Sequence, residues 1–119
     1  IGPEAFARHT YLALLELPEG LETIGDRAFY NCETLARVHF PSTLKFIGDS
    51  AFYNAYKSSV LELPEGLEHI GAYAFYFAVI KGFLTLPEGL KTIGESAFES
   101  CSNMFLQQHG WQSLSALDP

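Results

Sequence analysis

The stretch Leu17–Gly25 reads LPEGLETIG; it returns as LPEGLEHIG at Leu63–Gly71 and as LPEGLKTIG at Leu86–Gly94. Leu17, Phe40, Leu63 and Leu86 stand 23 residues apart, and the neighbouring columns keep that step without a gap. Ile1, Ile24, Ile47, Ile70 and Ile93 form one column, and Gly2, Gly25, Gly48, Gly71 and Gly94 the next. Two more run through Ala5, Ala28, Ala51, Ala74 and Ala97 and through Phe6, Phe29, Phe52, Phe75 and Phe98, and a fifth through Leu21, Leu44, Leu67 and Leu90. A fixed period in this range marks a solenoid, whose units cannot bury their apolar faces alone. About five units fit the chain.

One unit, LARVHFPSTLKFIGDSAFYN at Leu35–Asn54, shows what each part does. Leu35, Val38 and Phe40 point inward while Arg37 and His39 alternate outward, as in a short strand. Proline then ends the strand, because it cannot donate to a ladder. In Leu17-Pro18-Glu19-Gly20 the proline and glycine fall where a type I turn places them, and Pro41-Ser42-Thr43 departs by lacking the glycine. Leu44 and Ile47 face inward at helical spacing, and Gly48 is expected to allow a sharp bend. Ala51 and Phe52 are expected on a short helical turn capped by Asp49, as Asp26 would cap the turn before it. Stacking such units predicts parallel strands on one face and turns and short helical turns on the other. The phenylalanine column becomes a continuous aromatic spine with rings about 5 Å apart.

The pattern Leu-x-x-Val-x-Phe-Pro-x-x-Leu-x-x-Ile-Gly-x-x-Ala-Phe-x-x-Cys/Ala resembles the BspA-like (Treponema-type) leucine-rich repeat over about Ile1 to Leu106. The resemblance implies a right-handed leucine-rich-repeat solenoid with a strand-lined concave face. It also implies bacterial or protozoan surface proteins that act in adhesion and host contact. The pattern weakens in places. The column that opens the strand runs Leu12, Leu35, Ser58, Lys81, Met104, so two middle units lose their apolar residue, with Val60 or Ile80 as substitutes through a local shift. After Gln108 the motif gives way to His109-Gly110-Trp111-Gln112. The expected division is a solenoid at 1–108, its first unit incomplete, and a cap or exit segment at 109–119. Ile1 falls in mid-repeat, so the stretch is expected to be a fragment or the end of a longer protein.

Composition narrows the function. Fourteen acidic against seven basic residues give a formal charge of −7. Nucleic acid or an anionic membrane would need clustered Lys and Arg, and neither is an expected partner. No run approaches the roughly 20 apolar residues of a membrane span. Cys32 and Cys101 lie three units apart, about 14 Å at strand spacing, against the roughly 7 Å that a disulfide allows. They are expected to be unbridged, buried small hydrophobes. His9, His39, His69 and His109 occupy different columns and do not converge as metal ligands would. Neither a nucleophile motif nor a phosphate-binding loop occurs. The expectation is therefore no enzyme, no cofactor and no metal. Glu19, Glu65 and Glu88 read as a solvated acidic edge, and the Glu22, Lys45, Glu68, Lys91 column as charge pairs between units.

The outward strand positions are the candidate site. One column is Leu14, Arg37, Val60, Phe83, Leu106; the other is Glu16, His39, Glu62, Thr85, Gln108. The first half is charged, through Glu16, Arg37, His39 and Glu62. The second is apolar, through Val60, Phe83 and Leu106 with Phe105 beside them, and Thr85 completes the candidate set. Apolar groups outside the core and rimmed by charge mark a partner surface. Tyr30, Tyr53 and Tyr76 offer a second strip, equally readable as cover for the groove between units. The leading expectation is a non-catalytic protein-binding module of an extracellular or cell-surface protein, with self-association possible through the open N-terminal edge. The alternative is a structural spacer or assembly module in a larger chain.

Overall fold

The 23-residue step is the pitch of a coil. The computed structural model describes residues 1–107, and at 57–59, 81–83 and 102–107 the backbone alone. Coils are numbered one to five here by Phe6, Phe29, Phe52, Phe75 and Phe98. The strands in chain order are β1 (Leu14–Glu16), β2 (Thr23–Ile24), β3 (Arg37–His39), β4 (Phe46–Ile47), β5 (Lys57–Ser59), β6 (His69–Ile70), β7 (Val79–Thr85), β8 (Thr92–Ile93) and β9 (Ser102–Gln107). Every pairing is parallel: β1 with β3, β5 with β7 and β9, and β2, β4, β6 and β8 in a third sheet.

That third sheet replaces the helical spacing expected around Leu44 and Ile47. Its two-residue strands repeat in strict register, Ile24 on Ile47 on Ile70 on Ile93. Ile24, Ile47 and Ile70 are buried. The concave side is not one sheet either. The 23-residue step from Arg37–His39 leads to 60–62, yet β5 lies three residues earlier, and no described ladder joins β3 to β5. The cause is the apolar residue missing at Ser58. Tyr56 fills the core in its place, fully buried, and its hydroxyl donates to the Val60 carbonyl at 2.6 Å. In the next coil Ile80 takes over from Lys81 and is also buried. Val60 is no substitute: it points outward.

The turns shift by one residue. The hydrogen bond closes from Leu21 N to Pro18 O, and it recurs at Leu44–Pro41, Leu67–Pro64 and Leu90–Pro87. The unit that lacks glycine therefore closes its turn with the same bond. Gly20 sits at φ 100, as a type II turn requires of its third residue.

Among the described residues there is no helix. Beyond β2 the chain makes successive tight turns, such as Ala28 N to Gly25 O and Tyr30 N to Arg27 O. Between them alternate amides reach the next coil: Arg27 N to Asp49 O, Phe29 N to Ala51 O, Asn31 N to Tyr53 O. Left-handed residues four apart make this possible, as at Arg27 (φ 55) and Asn31 (φ 56). A helix would turn those amides back on their own coil. The expected aspartate caps change role accordingly. Asp26 Oδ1 accepts from Asp49 N, and Asp49 Oδ1 from Ala72 N, each at 2.8 Å and each one coil on.

The column glycines serve a close approach rather than a bend. Gly48 lies outside the left-handed region, but a Cβ there would stand 2.7 Å from Asp26 N and 2.8 Å from Gly25 C in the coil before.

The core follows the columns. Ala28, Ala51, Ala74 and Ala97 and Phe29, Phe52, Phe75 and Phe98 are fully buried. The five rings stack with centroids 5.3, 5.1, 5.2 and 5.2 Å apart, none tilted by more than 9°. This is the expected spine. Cys32 is buried and Cys101 only partly so, which corrects the expectation for the second. Neither forms a disulfide, and each thiol donates to a phenylalanine carbonyl, Cys32 to Phe6 at 3.0 Å and Cys101 to Phe75 at 3.1 Å.

Candidate functional site

The strands β1 and β3 set the first two rows of the concave face. Their register puts Leu14 beside Arg37 and Glu16 beside His39, with Leu15 and Val38 between them turned to the core. Residues 60–62 continue the alternation without being a strand: Val60 and Glu62 are exposed and Leu61 is buried. These three rows enclose an open trough of about 550 Å³, lined by Leu14, Glu16, Arg37, His39, Val60 and Glu62 with Val38 as its floor.

Five expected site residues therefore come together: Glu16, Arg37, His39, Val60 and Glu62. Thr85 is exposed in the following row. The side chains of Phe83 and Leu106 lie outside the described residues, as do Gln108 and the segment 109–119. The expected split into a charged half and an apolar half needs correction. Val60 lines the same trough as the charged groups, and so does Leu14; they are 54% and 57% exposed. Leu106 also departs from the 23-residue step in its backbone. It pairs with Leu84, a buried residue, and Phe105 pairs with Phe83, so the step here is 22 residues.

Charge at the rim is organised across coils. The Glu19 carboxylate accepts from the Ser42 amide at 2.9 Å and from its hydroxyl at 2.5 Å. Those two bonds hold its pKa below the ordinary carboxylate value, with His39 adding a smaller pull. Lys91 pairs with Glu68 at 3.5 Å. Both ion pairs among the described residues, this one and Arg27–Glu4 at 3.8 Å, are exposed and contribute little. No three His, Cys, Asp or Glu converge on a metal position among the described residues.

Tyr30, Tyr53 and Tyr76 are half-buried and stack on one another, centroids 4.9 Å apart at both steps. They form a second ladder beside the phenylalanine spine. Burial among the neighbouring rings pushes the Tyr53 phenol up, and Tyr30, Tyr76 and Tyr73 add to the shift.

The sequence matches the BspA type leucine rich repeat region over residues 1–107, in six copies. The chain belongs to that family of leucine-rich-repeat proteins. Among solved structures it is similar to the T. pallidum leucine rich repeat protein TpLRR, with a TM-score of 0.80 and 29% identity over 87% of this chain and 49% of that one. It is also similar to a leucine-rich repeat protein from Bacteroides ovatus, with a TM-score of 0.80 and 34% identity over 89% of this chain and 27% of that one. The chain thus spans about half the length of the first and about a quarter of the second. No curated protein matches it. The family is in general a protein-interaction scaffold. Among the described residues no helix is long and apolar enough to cross a membrane.

Proposed function

We propose that this chain is a non-catalytic protein-binding module of a bacterial cell-surface protein, acting in adhesion or host contact, and that the concave trough carries the contact. One observation bears most of the weight: Leu14 and Val60 stand exposed among Glu16, Arg37, His39 and Glu62 in a single recess. These apolar groups serve no core, and an apolar centre with a charged rim is the usual anatomy of a protein interface. A charge of −7 favours a protein over nucleic acid or an anionic membrane. The family and the bacterial origin of the two similar structures support the surface location.

The test is binding to a panel of matrix and cell-surface proteins, with the Leu14→Asp/Val60→Asp double variant beside the native chain. Both positions are exposed, so the variant keeps its fold, which circular dichroism verifies. Saturable binding that the variant loses supports the trough. Equal binding by both removes it. The alternative, a spacer or assembly module, draws on the first coil. Phe6 stacks on Phe29 by one face and is still 43% exposed, an edge on which a further coil or a second copy can stack. Concentration-dependent mass in solution, abolished by Phe6→Asp, would favour that reading.

A further inference from the structure

A second recess, of about 280 Å³, lies on the solvent side of the sheet formed by β2, β4, β6 and β8. It opens where two columns break their pattern side by side. The first is the aspartate column. Asp26 Oδ1 and Asp49 Oδ1 each lie over the glycine of the next coil, 2.5 Å from where a Cβ on Gly48 or on Gly71 would stand. In coil four the column carries Ala72, so it sends no carboxylate over Gly94. Ala72 and Gly94 both line the recess.

The second is the outward position of the two-residue strands. Coils two and five place Thr23 and Thr92 there, but coils three and four place Phe46 and His69. The Phe46 ring is 41% exposed and takes no part in the core. It stands 5.9 Å from the His69 ring, tilted by 49°. His69 Nδ1 bonds to the Thr92 hydroxyl at 2.7 Å, and among the described residues its Nε2 has no partner. Asp49 is likewise half engaged: Oδ1 accepts from Ala72 N at 2.8 Å, and Oδ2 has no partner among the described residues. Phe46, Asp49, His69 and Thr92 all line the recess.

We propose that this recess binds one neutral pyranose ring of a glycan. Its volume falls just below the roughly 300–1,000 Å³ of drug-sized sites, which suits a single ring. A wholly apolar group would take Asp49 and His69 out of water with nothing to bond. An anion would be repelled by the Asp49 carboxylate. A cation would find one carboxylate, already shared with Ala72 N, beside an imidazole that repels it when protonated. A pyranose meets each group on its own terms. Its C–H face lies on the Phe46 ring, and the hydroxyls at its edge donate to Asp49 Oδ2 and exchange hydrogen bonds with His69 Nε2 and the Thr92 hydroxyl. The site shares no lining residue with the concave trough and does not depend on it.

The experiment is an NMR titration of the whole chain with methyl β-glucoside, methyl β-galactoside and methyl α-mannoside, with N-acetylleucine amide as the stand-in for an apolar side chain. The expected result is saturable shifts of the Phe46 and His69 ring signals with at least one glycoside and none with the leucine amide. Phe46→Thr repeats the residue that Thr23 and Thr92 already place in this column, so the fold is kept. It should weaken binding at least about fivefold by removing the stacking face. Asp49→Asn keeps an oxygen for Ala72 N but loses the charge, and should weaken binding by a similar factor. Ala72→Asp should abolish it by closing the recess over Gly94. Absence of shifts with all three glycosides, equal shifts with the leucine amide, or undiminished affinity in Phe46→Thr or Ala72→Asp overturns the proposal. Leu14→Asp/Val60→Asp should leave the titration unchanged, so failure at the trough and failure here are distinguishable.

Discussion

Asp26 Oδ1 accepts the backbone N–H of Asp49, one coil further along, at 2.8 Å. The bond repeats from Asp49 to Ala72 N and then stops, because Ala72 has no carboxylate to offer coil five. A charged acceptor on a backbone amide is worth about 1.5–3 kcal/mol, less at an exposed site. Asp26→Ala should therefore destabilise the fold by about 1–2 kcal/mol. Ala72→Asp should stabilise it by about 0.5–1.5 kcal/mol by extending the ladder one step. Urea unfolding of the two variants measures both, and an Ala72→Asp midpoint at or below that of the native chain would refute the ladder.

The glycines separate into two kinds that the sequence does not distinguish. A Cβ on Gly71 would meet Asp49 N at 2.6 Å, and one on Gly94 would meet Ala72 N at 2.2 Å. Both neighbours are backbone and cannot yield without parting two coils. A Cβ on Gly89 meets nothing within 4 Å, and its φ is not left-handed. Gly71→Ala and Gly94→Ala should each cost more than about 3 kcal/mol, beyond the usual range of overpacking. Gly89→Ala should be neutral or stabilising by up to about 1 kcal/mol, because it narrows the unfolded ensemble. Thermal melts of the three variants decide the matter.

The repeat was legible because a stack needs one side chain of each kind at each level, and Ile47, Ala51 and Phe52 state that requirement in every unit. The turn side was not. Ala51 and Phe52 bury in the same order on a helical turn and on a succession of tight turns, so their spacing carries no distinction. The available signal lay in Asn31 and Asn54, since asparagine tolerates the left-handed region better than most residues. Gly48 misled for a related reason: a glycine column can report backbone conformation or a close neighbour, and only the stacked coils show which. At the site, Glu16, Arg37 and His39 were readable from period two. Val60 was readable as outward but was assigned to the wrong half, because nothing in the periodicity places the break between β3 and β5. The 22-residue pairing of Leu106 with Leu84 was not readable, because the periodicity carries only the regular step.

The phenylalanine spine gives a graded prediction. Phe52 has stacked neighbours at 5.1 and 5.2 Å and a perpendicular contact with Phe40 at 5.7 Å. Phe52→Ala should cost about 3–5 kcal/mol, as for a fully buried ring. Phe6→Ala should cost clearly less, since that ring has a neighbour on one face and is partly in solvent. Equal losses in chemical denaturation would mean that the spine does not carry stability in proportion to burial.

The tyrosine ladder makes stability depend on alkaline pH. Burial raises the Tyr53 phenol in the folded chain, and the flanking phenols raise it further. The folded state thus prefers neutral Tyr53 more strongly than the unfolded chain does, whose phenols titrate near pH 10. By linkage the associated stability is complete below about pH 10 and is lost as pH rises through the higher folded value. Cys32, whose thiol is raised mainly by burial, acts in the same direction from about pH 9. In Cys32→Ala the urea midpoint should therefore stay level up to about pH 10 and then fall. Tyr53→Phe in that background should flatten the fall while leaving the neutral-pH midpoint little changed, because the phenyl ring retains the stacking on Tyr30 and Tyr76. An unaltered alkaline decline in the double variant would show that Tyr53 is not the group whose ionisation opens the ladder.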